Sequence, residues 1–124
     1  DMERVTGIGG FFFRSKEPKK LAAWYQTHLG INLAPGDMTT PPWVSQEGVT
    51  VFAPFAEDSD YFPADRGFML NFRVRDLDAM LKQLRTAGIE VTREEAMEGV
   101  GRFARIHDPE GNPIELWEPA AAVS

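Results

Sequence analysis

Residues 11–13 are three phenylalanines inside a stretch, 7–14, whose apolar positions leave neither face free for water, the pattern of a strand buried on both sides. Pro18 follows, suited to the first turn of a helix because its missing N–H would find no partner there. Glu17 then stands at the cap, its charge near the positive end of the helix. Leu21, Trp24, Tyr25 and His28 recur at helical spacing, and Gly30 ends the run. Shorter strands are predicted over 31–34, 43–46 and 49–55, punctuated by Pro35-Gly36 and Pro41-Pro42. An acidic link over 56–66, containing Pro63, precedes a strand over 67–74. Asp76 then caps a helix with the apolar stripe Leu77, Met80, Leu81 and Leu84, stopped by Gly88. Strands follow at 89–92, 101–107 and 113–118, the last two joined by Asp108-Pro109-Glu110-Gly111, a strong turn sequence.

Each half thus reads β-α-β-β-β, and the halves repeat in their residues too. Phe13 and Phe72, Arg14 and Arg73, Glu17 and Asp76, and Thr27 and Thr86 each lie 59 positions apart, and Gly30-Ile31 and Gly88-Ile89 lie 58 apart. A period this long means two copies of one supersecondary unit rather than a solenoid. Two facing units leave a cleft between them, the usual seat of a small ligand.

The composition narrows the function classes. At 124 residues the chain is one domain, 1–124, with repeat one at about 5–55 and repeat two at about 67–119. The net charge of -6 argues against nucleic acid, whose binding needs a cationic surface to displace counterions. With no cysteine there is no disulfide framework, thiolate metal site or thiol nucleophile. No stretch reaches the length of a membrane span, and the first residues lack an apolar signal region, so no membrane contact and a cytoplasmic location are expected.

The doubled β-α-β-β-β unit, the helix ending Trp24-Tyr25-Gln26-Thr27-His28-Leu29-Gly30, the strand–helix junction at 72–81, and Asp108-Pro109-Glu110-Gly111-Asn112-Pro113-Ile114-Glu115-Leu116-Trp117-Glu118-Pro119 together resemble the vicinal oxygen chelate superfamily. That group includes glyoxalase I, extradiol dioxygenases, and the bleomycin and fosfomycin resistance proteins. The resemblance implies an α+β fold of two β-α-β-β-β repeats forming one incomplete, barrel-like cleft. It also implies a homodimer, since the exposed edges of such sheets need cover. It does not specify the reaction, because this fold hosts isomerases, lyases, dioxygenases and pure binders.

Metal enzymes of that superfamily hold a divalent ion with His or Glu on the first and last strand of each unit. Aligned to that pattern, Glu115 supplies one donor, while the other three places fall at Gly10, Val51 and Met69. Glycine and valine offer no side-chain donor, and a thioether suits neither hard nor borderline ions. No cofactor is therefore expected. A displaced metal site would have to draw on His28, His107 or Glu47. His28 reads as a helix-face packing residue, His107 as a rim residue beside the turn, and Glu47 as an exposed turn carboxylate.

Glu115 alternates with Ile114 and Leu116, so it turns away from the helices and toward the cleft. There it either pairs with an arginine, binds a cationic ligand, or acts as a general base. Trp117 shares its face, and Trp43 begins a strand of the first unit; both line a pocket or simply pack the core. Arg14 and Arg73 are related by the repeat and form either salt bridges or a cationic clamp. The Gly7-Ile8-Gly9-Gly10 run lacks nucleotide-loop spacing and precedes a strand rather than a helix.

The resulting expectation is a small-molecule binder in the manner of the resistance-type members, its cleft lined by Phe12, Arg14, Trp43, Met69, Asn71, Arg73, Glu115 and Trp117. Acidic charge and aromatic content would suit a cationic aromatic ligand. The alternative is a glyoxalase-like lyase or isomerase with Glu115 as base or as ligand of a displaced metal. A third reading is an accessory subunit whose cleft a partner fills.

Overall fold

Pro18 starts a helix where its fixed φ fits, and Gly30 ends that helix at φ 71°, a conformation that a Cβ would disfavour; α1 runs Pro18–Leu29 between them. A computed structural model describes residues 2–32 and 41–121 of the chain. Glu17 holds the cap position of α1, but its side chain makes no capping bond. The free amides there are met from across the molecule: Glu110 accepts from the Lys16 and Glu17 N–H groups at 2.9 and 3.2 Å, and from the Ser15 hydroxyl at 2.7 Å.

The second half folds as the hydrophobic pattern predicts except at its second strand. β1 (Leu70–Arg73) leads to α2 (Leu77–Thr86), whose cap Asp76 accepts from the Ala79 amide at 3.0 Å. β2 (Arg93–Met97), β3 (Gly101–His107) and β4 (Pro113–Pro119) follow. The sheet order is β1-β4-β3-β2, with β1 parallel to β4 and the other pairs antiparallel. This is an open, mixed four-stranded sheet, not closed into a barrel, within the α+β class expected.

Alternation sorts the sheet into two faces. Ala104 and Ile106 of β3 and Ile114 and Leu116 of β4 are buried against Leu21 and Tyr25 of α1 and Leu77, Leu81 and Leu84 of α2. Leu70 and Phe72 of β1 pack at the edge of that core. Fully burying side chains of this size contributes about 1.5–3 kcal/mol each, so this layer holds the fold.

Three of the four strands predicted for the first half do not form. Among the described residues, neither 7–14 nor 43–46 and 49–55 carry strand structure, and the segment 31–34 lies partly outside the described residues. Their apolar runs signal burial, but a strand also needs a neighbouring edge to satisfy its amides. In the single chain Phe12 is 94% exposed and Phe52 86% exposed. Phe11 and Phe13 are anchored instead by ring contacts with Phe68, at 5.2 and 5.8 Å. The strand predicted at 89–92 is also displaced. Ile89 and Val91 pack on the core through their side chains, while sheet pairing begins with Thr92 N–H on the Arg105 carbonyl and runs through polar β2.

Candidate functional site

The face opposite the helices carries one row of side chains across all four strands. Asn71 stands beside Glu115, Glu115 beside Arg105, and Arg105 beside Arg93, each pair being direct register partners. The next row is Arg73, Trp117, Phe103 and Glu95. The hairpin through residues 108–112 sets this register, because Asp108 and Asn112 close it and every odd position of β3 then meets an odd position of β4.

Glu115 is buried and both of its oxygens are engaged. Asn71 Nδ2 donates to Oε1 at 2.8 Å, and the Tyr61 hydroxyl donates to Oε2 at 2.5 Å. The same hydroxyl lies 3.2 Å from Glu95 Oε1. Burial, then the hydrogen bond and negative charge of Glu115, hold the Tyr61 hydroxyl well above the ordinary phenol range, so it remains a donor. Arg105 is buried, and its Nη2 donates to the Tyr61 carbonyl at 2.9 Å. The Arg93 and Arg105 guanidiniums stand 4.7 and 5.2 Å from the centre of the Tyr61 ring, a cation–π geometry.

Beside this cluster opens a cavity of about 520 Å³ bordered by Ser59, Asp60, Tyr61, Arg93, Arg105 and His107, a size suited to a small organic ligand. Burial, then the charge of Arg105, push the His107 imidazole below its usual value, so it is neutral at pH 7. On the other side, Trp117 stacks on Phe103 with centroids 6.0 Å apart and donates from Nε1 to the Val100 carbonyl at 3.0 Å.

Of the side chains expected to line the cleft, Asn71, Glu115 and Trp117 come together on this face. Arg73 lies in the second row, with Nη2 donating to the Gln46 carbonyl at 2.9 Å, and Met69, half-buried, directly precedes β1. Arg73 therefore pairs with a backbone oxygen rather than with Arg14 or Glu115. Phe12 and Arg14 are exposed, and Trp43 packs edge-on against Phe72 at 6.3 Å; the hydrogen bonds of Glu115 go to Asn71 and Tyr61 instead. Sequence reasoning missed Tyr61, Arg93, Glu95, Phe103 and Arg105. The hairpin register through the predicted turn could have found Phe103 and Arg105, whereas Tyr61 sits in an aperiodic link and carried no signal.

The family's divalent ion does not fit this donor set. Among the described residues no three His, Cys, Asp or Glu side chains form a metal-holding group. Glu115 is turned to an amide and a phenol, which are hydrogen-bond donors rather than fellow metal ligands. Asp108, though buried, is also structural: it accepts from the Glu110 and Asn112 amides, from Asn112 Nδ2 and from the Tyr25 hydroxyl.

The profile of the glyoxalase-like domain family matches residues 10–117. No curated protein sequence matches the chain. Among solved structures, it is similar to TnmS3, an antibiotic binding protein from Streptomyces sp. CB03234, with 26% identity, TM-score 0.61, and coverage of 96% of this chain and 100% of that one. A glyoxalase/bleomycin resistance protein from the same Streptomyces strain is 26% identical, with TM-score 0.52, covering 83% of this chain and 92% of that one. A lactoylglutathione lyase from Agrobacterium tumefaciens shares the fold at 16% identity and TM-score 0.62, over 94% of this chain and 96% of that one. The chain belongs to the glyoxalase-like domain family, within the vicinal oxygen chelate superfamily.

Proposed function

We propose that this protein binds a small, planar, largely aromatic molecule on the open face of its sheet, with no metal ion holding it. The observation that carries the reading is the row Asn71–Glu115–Arg105–Arg93, which presents an amide, a carboxylate and two guanidiniums in line beside a cavity of ligand size. The antibiotic binding of TnmS3 supports the same reading from outside the chain. Arginines beside Glu115 and Glu95 favour a neutral ring with polar groups over the cation that the acidic composition suggests. Both Glu115 oxygens already accept hydrogen bonds, an arrangement that holds a donor rather than one left free to abstract a proton.

The reading includes a homodimer. Among the described residues the sheet keeps two unpaired edges, at β1 and β2, and the apolar segments around Phe12 and Phe52 stand in water. A second copy supplies both cover for the apolar segments and edges for their amides.

The test is calorimetric titration of the protein with a panel of polycyclic aromatic antibiotics. Saturable binding of at least one, at one site per chain, is expected, and Glu115→Ala is expected to weaken it. Absence of saturable binding across the panel contradicts the proposal.

A further inference from the structure

We propose that the ligand of this face is a hydroxyaryl compound, a ring bearing a phenolic O–H, and that Tyr61 is the chain's own occupant of that place. The inference rests on the binding function above and gives its ligand a chemical class.

Tyr61 comes from a link without helix or strand. Its amide donates to Ser59 Oγ at 3.2 Å, and its carbonyl accepts from Arg105. The side chain is nevertheless held at both ends. Two guanidiniums meet its ring, and two carboxylates meet its hydroxyl. Each half of that arrangement selects something. Cations reward an electron-rich ring face, which an aliphatic ring lacks. A carboxylate pair rewards a donor, and an ether in its place would set a methyl group against buried charge. The face therefore specifies a ring with a hydroxyl at one end.

The fit with Tyr61 in place is also incomplete. Arg105 is 6% exposed, and its Nε has no acceptor among the described residues. A buried donor left unmet is a standing cost that a further oxygen on a ligand would remove. Tyr61 is only half-buried and borders the cavity, so an entering ring exchanges with it like for like. Such an occupant lowers apparent affinity by the fraction of time it holds the place, and its removal raises that affinity.

The probes are 1-naphthol and 1-methoxynaphthalene, titrated calorimetrically into the wild type, Tyr61→Ala, and Tyr61→Ala combined with Glu115→Ala. A hydrogen bond to a charged acceptor makes 1-naphthol the tighter probe by roughly tenfold or more. Tyr61→Ala is expected to bind 1-naphthol more tightly than the wild type does. Adding Glu115→Ala is expected to erase the preference, chiefly by weakening 1-naphthol, whose hydroxyl loses its charged acceptor. Where Tyr61→Ala does not fold by circular dichroism, Tyr61→Phe, which keeps the ring and loses the hydroxyl, carries the same comparison. Equal affinity of the wild type for the two probes, or weaker 1-naphthol binding in a folded single Tyr61 variant, overturns the inference and leaves a binding face standing. If neither probe binds any variant the inference also falls, and the antibiotic panel alone decides the wider proposal.

Discussion

The Tyr25 hydroxyl donates to Asp108 Oδ2 at 2.7 Å, joining α1 to the β3–β4 turn across 83 residues of sequence. Glu110, two residues on, reaches the amides before α1, so the Asp108–Asn112 turn is the joint between the first half's helix and the sheet that carries the candidate site. Tyr25→Phe removes one buried bond to a charged acceptor, and a loss of about 1.5–3 kcal/mol is expected in urea denaturation. An unchanged midpoint and slope would show that the joint does not depend on this bond.

Gly101 begins β3 at φ 136°, where a Cβ would meet the Glu118 carbonyl oxygen and lie 2.8 Å from Trp117 Nε1. Gly101→Ala is expected to cost about 1–3 kcal/mol through backbone strain and to shift Trp117 off Phe103. Thermal unfolding and tryptophan emission read the two effects. A fully stable variant with unaltered emission would contradict this packing.

Glu110 should shape the acid limb of stability. Its carboxyl is lowered from an ordinary value of 4.5, first by the Lys16 amide and then by the Ser15 hydroxyl. A depressed folded value stabilises fully above the unfolded value and loses that contribution as pH falls through the folded one. Wild type should therefore lose stability below about pH 4.5 more steeply than Glu110→Gln, which cannot titrate at that position. Parallel acid limbs for the two proteins would rule out this linkage.

The dimer proposal has its own test in sedimentation equilibrium. Wild type should sediment at twice the chain mass, and Phe12→Asp with Phe52→Asp should shift it toward the monomer, since a charge at a buried apolar contact is strongly unfavourable. A monomeric wild type at micromolar concentration would remove the dimer from the account.

The second half was legible because its signals agree with one another. Asp76 caps, Leu77, Leu81 and Leu84 are buried at helical spacing, and alternation through Ile114, Glu115 and Leu116 sends Glu115 to the open face as expected. β2 was misplaced because Arg93–Met97 is a polar edge strand, paired through its backbone with no apolar pattern to mark it. In the first half, Phe11, Phe12 and Phe13 record a demand for burial, but pairing depends on an edge that hydrophobicity does not name. The candidate site was half visible for a related reason. Strand parity locates Asn71, Glu115 and Trp117, whereas Tyr61 arrives from an acidic link through its hydroxyl and ring rather than through any periodicity.

The central claim, a ligand seated on the Asn71–Glu115–Arg105–Arg93 row, is tested most directly by amide chemical-shift mapping of labelled protein with the tightest-binding compound of the antibiotic panel. Shifts concentrated at residues 71, 93, 105 and 115 and at Tyr61, with the amides of α2 unmoved, are the predicted result. Shifts concentrated on the helices or on residues 7–14, with that row unmoved, would contradict it.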